Sequence, residues 1–295
     1  MKKQPLVSII MNCLNGEKYL NSAIDSVINQ TYKNWELIFW DNRSTDNSAN
    51  ILKKYKDKRI KYFYSKKKTV LYKARNEAIK NSKGEFLAFL DVDDIWVRNK
   101  LSLQIPKFKN KKIGLVYSNF YKYKNYKKKL AYNTKLPSGK ITNSIINNYQ
   151  VPFLTVVLRK KFINKKKVFD FKYDLLSDYD FVLNFSLKYY FQSINKPLAL
   201  YRIHDNQLQR IMMFSQAEQF CEWFKNKKIK IKFKKYDLSS IYKKYEYYDL
   251  LRNFNKSRVK FFLGIIKKFA FKNFIKITIL IFFPRKIAFK FFENV

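Results

Sequence analysis

Phe86-Leu87-Ala88-Phe89-Leu90-Asp91-Val92-Asp93-Asp94 is the stretch whose reading decides the fold of this chain. A short apolar run, preceded by Gly84 as a breaker, has the length of a buried strand and ends in three carboxylates. Charged groups are not sealed into a core without partners. At the carboxyl end of a strand in a parallel sheet they face the crevice where ligands bind. There they offer hard oxygens suited to Mg²⁺ or Mn²⁺, which would neutralise a diphosphate. A simpler reading makes them an acidic turn, with Asp94 capping the next helix.

Working outward, apolar runs alternate with helical patterns. Leu6–Met11, Trp35–Trp40 and Ile60–Tyr64 read as strands ahead of Phe86–Leu90. Between them Tyr19, Leu20, Ala23, Ile24, Val27 and Ile28 recur at helical spacing. Ser44, Thr45 and Asp46 offer N-caps for a helix through Tyr55, and another helix covers about residues 70–81. This β-α-β-α-β-α-β alternation predicts an α/β fold with a mostly parallel sheet flanked by helices. Further on, Arg98–Lys109 reads as helix, Ile113–Ser118 as strand, Phe120–Lys135 as hairpin or loop, and Phe153–Leu158 as strand. Asp178–Tyr190 then reads as helix and Leu198–Ile203 as a short strand.

The 295 residues suffice for one sizeable core or one domain with an appendage. Only five glycines occur, and neither G-x-G-x-x-G nor a P-loop can be written from them. Cys13 and Cys221 match no metal or redox spacing, so reduced thiols are expected. Leu6–Met11 is too short for a signal-peptide core, and no apolar run is long enough to span a bilayer. A cytoplasmic protein is therefore expected. The formal charge of +40 fits either a solvated, lysine-rich surface or an anionic partner.

Several motifs resemble those of family 2 glycosyltransferases. Val7–Leu20 is similar to that family's opening strand and helix, and Ser26-Val27-Ile28-Asn29-Gln30-Thr31-Tyr32 to its S-x-x-x-Q-T-Y helix end. Asp41-Asn42-Arg43-Ser44-Thr45-Asp46 resembles its D-D-G-S-T-D turn, and Ala74-Arg75-Asn76 its A-R-N element. Asp91-Val92-Asp93-Asp94 resembles its D-x-D motif, Ser177-Asp178-Tyr179-Asp180 its E-D-Y-D motif, and Tyr201-Arg202-Ile203-His204 its Y-R-x-H element. The order and spacing agree over about residues 6–204. The resemblance implies a GT-A fold and transfer of a sugar from a nucleotide-sugar donor with inversion, aided by divalent Mn or Mg. It makes Asp178 the catalytic base, with Asp180 in reserve. It makes Asn15, Asp41, Asn42, Arg75 and Asp91 nucleotide-binding, and Asp93 and His204 the metal ligands, with Arg202 next in line for phosphate. Asn42 stands where the family commonly has a second aspartate, Ser177 where it often has glutamate, and Asn12 where it commonly has proline. Trp96 is expected to pack.

Beyond His204 the resemblance carries no catalytic motif. Residues 1–205 are expected to be the GT-A catalytic domain and 206–295 a basic helical appendage. Val259–Phe292 interleaves large apolar residues with lysines, a pattern suited to lying on an anionic membrane surface. The expected acceptor is a saccharide or a lipid-linked sugar, the expected process polysaccharide synthesis, and the expected location the inner face of the cell membrane. Nucleic acid is not the expected partner, since no nucleic-acid-binding motif is recognisable. A basic nucleic-acid-binding protein and an inactive, membrane-associated transferase fold are the competing readings.

Overall fold

Residues 4–164, 168–205, 207 and 212–254 are described by a computed structural model. Four apolar runs form the first four strands. They are β1 (Val7–Cys13), β2 (Trp35–Asp41), β3 (Ile60–Tyr64) and β4 (Phe86–Phe89), mutually parallel in the order β3-β2-β1-β4. Helices α1 (Glu17–Ile28), α2 (Ser48–Lys53) and α3 (Leu71–Lys80) connect them. Every residue of β1 and β4 is buried, which is why these strands read as continuous apolar runs. Val7, Ile9 and Met11 join Leu20, Ile24 and Val27 of α1 in one core.

Five more strands extend this frame into one nine-stranded sheet. They are β5 (Ile95–Trp96), β6 (Ile113–Lys124), β7 (Lys127–Leu130), β8 (Val157–Arg159) and β9 (Tyr190–Arg202). The order continues from β4 through β8, β6 and β9 to β5, and β7 pairs with β6. The expected α/β sheet flanked by helices is present, and the sheet is curled. Beyond β4 the sheet is mixed. The pairs β4–β8, β6–β8, β6–β7 and β5–β9 are antiparallel, while β6 and β9 pair parallel across a long connection. Only β6 and β7 are joined by a tight turn; the other pairings bring together strands far apart in the chain.

Local departures have identifiable causes. The polar run Ser44–Asp46 does not open a helix. Ser44 Oγ accepts the Asn15 N–H and Asp46 Oδ2 the Glu17 N–H, binding the β2–α2 turn to the β1–α1 turn, and α2 begins only at Ser48. Pro106 lacks an N–H, and the expected helix over Arg98–Lys109 divides into α4 (Lys100–Gln104) and a 3₁₀ turn, Ile105–Lys109. The segment read as a strand over Phe153–Leu158 starts as a 3₁₀ turn, Phe153–Thr155. Strand β9 is thirteen residues long and not a short strand. It carries Pro197 through register shifts against β6. Helices α5 (Thr142–Asn147) and α6 (Ser177–Ser186) complete this unit.

The chain divides into two compact units, Met1–Arg210 and Ile211–Val295. In the second, α7 (Met213–Lys225), α8 (Lys227–Lys232) and α9 (Ser239–Phe254) are helical, as the pattern beyond Leu208 leads one to expect. Phe220 and Phe224 of α7 pack against Tyr248 and Tyr245 of α9. No described helix is long and apolar enough to cross a membrane. The amphipathic pattern at Val259–Phe292 lies outside the described residues.

Candidate active site

The carboxyl ends of β1 and β4, the start of α1 and the end of β9 surround a cavity of about 520 Å³. Asn15, Lys18, Asp93, Lys124 and His204 are among its walls. Leu90–Asp94 joins β4, in the middle of the sheet, to β5 at its edge. The acidic run therefore crosses the mouth of the sheet and does not project into solvent as a simple turn.

Asp93 Oδ2 lies 3.0 Å from His204 Nε2. The His204 ring also packs against Tyr19, with centroids 5.1 Å apart. Burial and the neighbouring Asp91 raise the Asp93 carboxyl above the ordinary range, and His204 draws it back. Asp91 pairs with the Nη2 of Arg75, a guanidinium only 3% exposed. Arg75 is sandwiched by Tyr72 and Phe153, at 4.7 and 5.5 Å. Its charge reaches Asp178, whose pKa is raised by burial and lowered by the Tyr179 N–H at 2.8 Å and by Arg75. One chain of charges thus runs from Asp93 through Asp91 and Arg75 to Asp178, linking the ends of β4 and β9, α3 and the first turn of α6.

Other expected site residues are placed differently. Asn15, at φ 57°, lines the cavity, and its Oδ1 accepts the Thr45 N–H at 2.8 Å. Asp41 is fully buried; it accepts from the Ser44 N–H at 2.7 Å and the Tyr62 hydroxyl at 3.0 Å. The Asn42 amide makes a two-way bond with the Thr69 backbone, donating at 2.7 Å and accepting at 3.1 Å. Both side chains are committed to the turn in this structure. Arg202 donates to the Asp93 carbonyl and the Ser22 hydroxyl, so its fork ties β9 to the acidic loop. The Ser177 hydroxyl is turned inward onto the Asp170 and Tyr173 carbonyls. Asp180 accepts from Asn184 one helical turn on. Trp96 is 3% exposed and donates to the Leu154 carbonyl, a packing position.

Three residues here were missed from the sequence. Asp174 accepts the Tyr72 N–H at 2.8 Å, capping α3 from a hundred residues away and so holding Arg75 toward the Asp178 helix. The buried Tyr149 hydroxyl has no hydrogen-bond partner among the described residues, and Asp178 is the carboxylate with the largest influence on it. Lys124 reaches the cavity from the far end of β6. Only the long-range pairings of the sheet bring these groups in, and no local spacing announces them.

Among the described residues no group of three or more His, Cys, Asp or Glu is placed to hold a cation. Asp93 and His204 nevertheless present two suitable donor atoms 3.0 Å apart at the cavity wall. Such a pair fits a divalent ion whose remaining ligands come from a diphosphate and water.

The sequence pattern described as "Glycosyl transferase family 2" matches residues 8–170. The chain belongs to glycosyl transferase family 2. Within it, the chain is 37% identical over 159 residues to the Escherichia coli UDP-Glc:alpha-D-GlcNAc-diphosphoundecaprenol beta-1,3-glucosyltransferase WfgD, a match covering 54% of this chain and 62% of that one. The match thus spans less than two thirds of that relative. An uncharacterized glycosyltransferase of Methanocaldococcus jannaschii is 31% identical over 239 residues, 76% of this chain and 81% of that one. The crystal structure of S. aureus TarS 1-349 superposes with a TM-score of 0.61 at 18% identity, covering 93% of this chain and 80% of that one. The mannosyltransferase PcManGT from Pyrobaculum calidifontis, solved with GDP-Man and Mn2+, superposes at 0.59 and 13% identity, covering 76% of this chain and 66% of that one. These likenesses establish the GT-A fold.

Proposed function

We propose that this chain transfers a sugar from a nucleotide-sugar donor to a lipid-linked saccharide acceptor, with inversion, in the synthesis of a cell-surface polysaccharide. The observation that carries the reading is the run of charge from Asp93 and His204, at the cavity wall, through Asp91 and its partner Arg75 to Asp178. The donor and acceptor classes are supported by WfgD, whose name gives a UDP-glucose donor and a diphosphoundecaprenol-linked acceptor. TarS, solved with UDP-GlcNAc, supports the donor class in the same fold.

In this reading Asp178 takes the proton of the acceptor hydroxyl as that oxygen attacks the anomeric carbon, a single displacement. Burial makes this carboxyl more basic than an exposed one, and the Arg75 charge favours its ionised form. Asp91, held by Arg75, faces the nucleotide, and Asn15 belongs to the same site. Asp41 and Asn42 shape the turn behind it. Lys18 and Lys124 meet the diphosphate with positive charge. Asp93 and His204 would hold Mn²⁺ or Mg²⁺, which supplies Lewis-acid stabilisation of the departing nucleoside diphosphate. Residues 1–205 form the catalytic domain, and 206–295 a basic helical region associating with the inner face of the cell membrane.

The test is a thermal-shift titration of the full chain with UDP, GDP and their sugars, with and without Mn²⁺, followed by transfer assays. Asp178→Asn should retain the nucleotide-dependent shift and lose transfer by about a thousandfold or more. An unchanged transfer rate in that variant would remove Asp178 as the base.

A further inference from the structure

One face of α1 grips the end of β9. Tyr19 and Ser22 lie three residues apart, on the same side of that helix. The Arg202 guanidinium sits 4.6 Å from the centre of the Tyr19 ring, with the Tyr123 ring of β6 at 5.2 Å. Arg202 Nη2 donates to Ser22 Oγ at 3.1 Å, and that hydroxyl donates in turn to the Tyr19 carbonyl at 2.8 Å. Arg202 Nε donates to the Asp93 carbonyl at 2.8 Å. Two residues on, the His204 ring lies 5.1 Å from the same tyrosine ring, at an interplanar angle of 43°. In this position His204 Nε2 is 3.0 Å from Asp93 Oδ2. A single ring thus packs against both Arg202 and His204 from the wall of the cavity. The helix that carries it is anchored in the core by Leu20, Ala23 and Ile24, none of them exposed.

We propose that Tyr19 is a positioning residue for the cation site, its ring fixing the plane of His204 so that Nε2 is held toward the Asp93 carboxylate. A side chain that is to serve as a ligand must be held to within about 0.5 Å, by neighbours that lock its rotamer. The imidazole here follows a strand end, where the backbone alone leaves its two side-chain torsions free. The flat face of Tyr19 restricts them from one side, and the Arg202 stack holds the backbone two residues earlier. The ring face does this work, not the hydroxyl. The inference deepens the proposed function and rests on its assignment of Asp93 and His204 to the divalent ion.

The test reads Mn²⁺ binding directly, by the electron paramagnetic resonance of the free ion, in the full chain with UDP. Groups that orient a metal ligand typically contribute ten- to a hundredfold to metal affinity. Tyr19→Leu should therefore weaken Mn²⁺ binding by about tenfold, and Tyr19→Phe, which keeps the ring, should bind as the original does. In a His204→Ala background the Leu change should cost less than about twofold, because the group it acts through is gone. His204 is the chain's only histidine, so in protein without a histidine tag its ring protons report alone. Their resonances should move in Tyr19→Leu, as the ring current of the tyrosine is lost, and stay nearly in place in Tyr19→Phe. Melting without metal checks that each variant is folded, and Tyr19→Gln replaces Tyr19→Leu if that one is not. Unchanged Mn²⁺ binding in Tyr19→Leu would overturn the proposal. So would a loss as large without His204 as with it, or histidine resonances that ignore the substitution. Failure of the original chain to bind Mn²⁺ with UDP would instead remove the cation site itself, and this role of Tyr19 with it.

Discussion

Burial lifts the Asp178 carboxyl, while the Tyr179 N–H and the Arg75 guanidinium pull it down. The balance gives a sign for the pH dependence. A general base works as the carboxylate, so the rate falls as pH drops through its pKa. Removing the Arg75 charge leaves burial less opposed and raises that pKa. Arg75→Met should therefore move the acid limb of kcat/KM to higher pH, by about one unit. A limb that stays in place would show that Arg75 does not act on the titrating group. At this scale much of the candidate site's layout was legible: Asp91, Asp93 and His204 follow strand ends and Asp178 opens a helix, as the order of their motifs leads one to expect, while Arg75 lies inside α3. The commitments of Asp41 and Asn42 were not, since Tyr62 and Thr69 reach them only once the strands are paired.

Two elements show how far apolar patterning carries and where it fails. Gly84 was legible as a breaker ahead of β4. Its stronger constraint is close approach: a Cβ there would meet the Ser8 backbone nitrogen at 2.6 Å and the Leu6 carbonyl oxygen at 2.8 Å. The Gly84 N–H also donates to Ser8 Oγ at 2.7 Å, in a buried network with Glu36. Gly84→Ala must push β1 and β4 apart, and should cost about 2–3 kcal/mol in urea unfolding. Helix α4 hides a different surprise. Lys100 is fully buried, its Nζ 4.1 Å from the Trp96 ring centre and 2.7 Å from Gln104 Oε1. Burial drives its pKa well below the usual lysine value. Between that lowered value and the ordinary one near 10.4, the unfolded chain holds the proton more tightly. Stability thus rises with pH across this window, by at most about 1.4 kcal/mol per unit. Lys100→Met should be the more stable protein at neutral pH, with its advantage shrinking toward pH 10. A pH-independent difference would mean that Lys100 stays protonated in place. A lysine in a chain this rich in lysine gives no sign that it is the buried one; only the packing of β5 and α4 singles it out.

Across the whole molecule, the β-α alternation of the first ninety residues was enough to foresee the α/β frame. The later half of the sheet was harder to see, because its strands pair across long sequence separations and β9 carries Pro197 within it. Charge acts at the same scale. With +40 formal charges, repulsion extends over distances that the described ion pairs, such as Arg59–Asp57 and Arg252–Asp249, do not reach. Salt shortens that range from about 30 Å at 0.01 M to about 3 Å at 1 M. Partly buried pairs such as Arg75–Asp91 are screened less. Raising NaCl should therefore remove more repulsion than attraction and lift the melting temperature by a few degrees. Chloride is the right anion for the test, because sulfate and phosphate also strengthen apolar burial and would blur the cause. The same experiment separates two views of the lysines. If they are evenly solvated and distant, the gain should come mostly below about 0.1 M, where the screening length is longest. If close like-charge pairs dominate, such as Lys122 of β6 opposite Lys129 of β7, the gain should continue toward 1 M. A melting temperature that falls with salt would show instead that short-range attraction outweighs the net charge in holding this fold together.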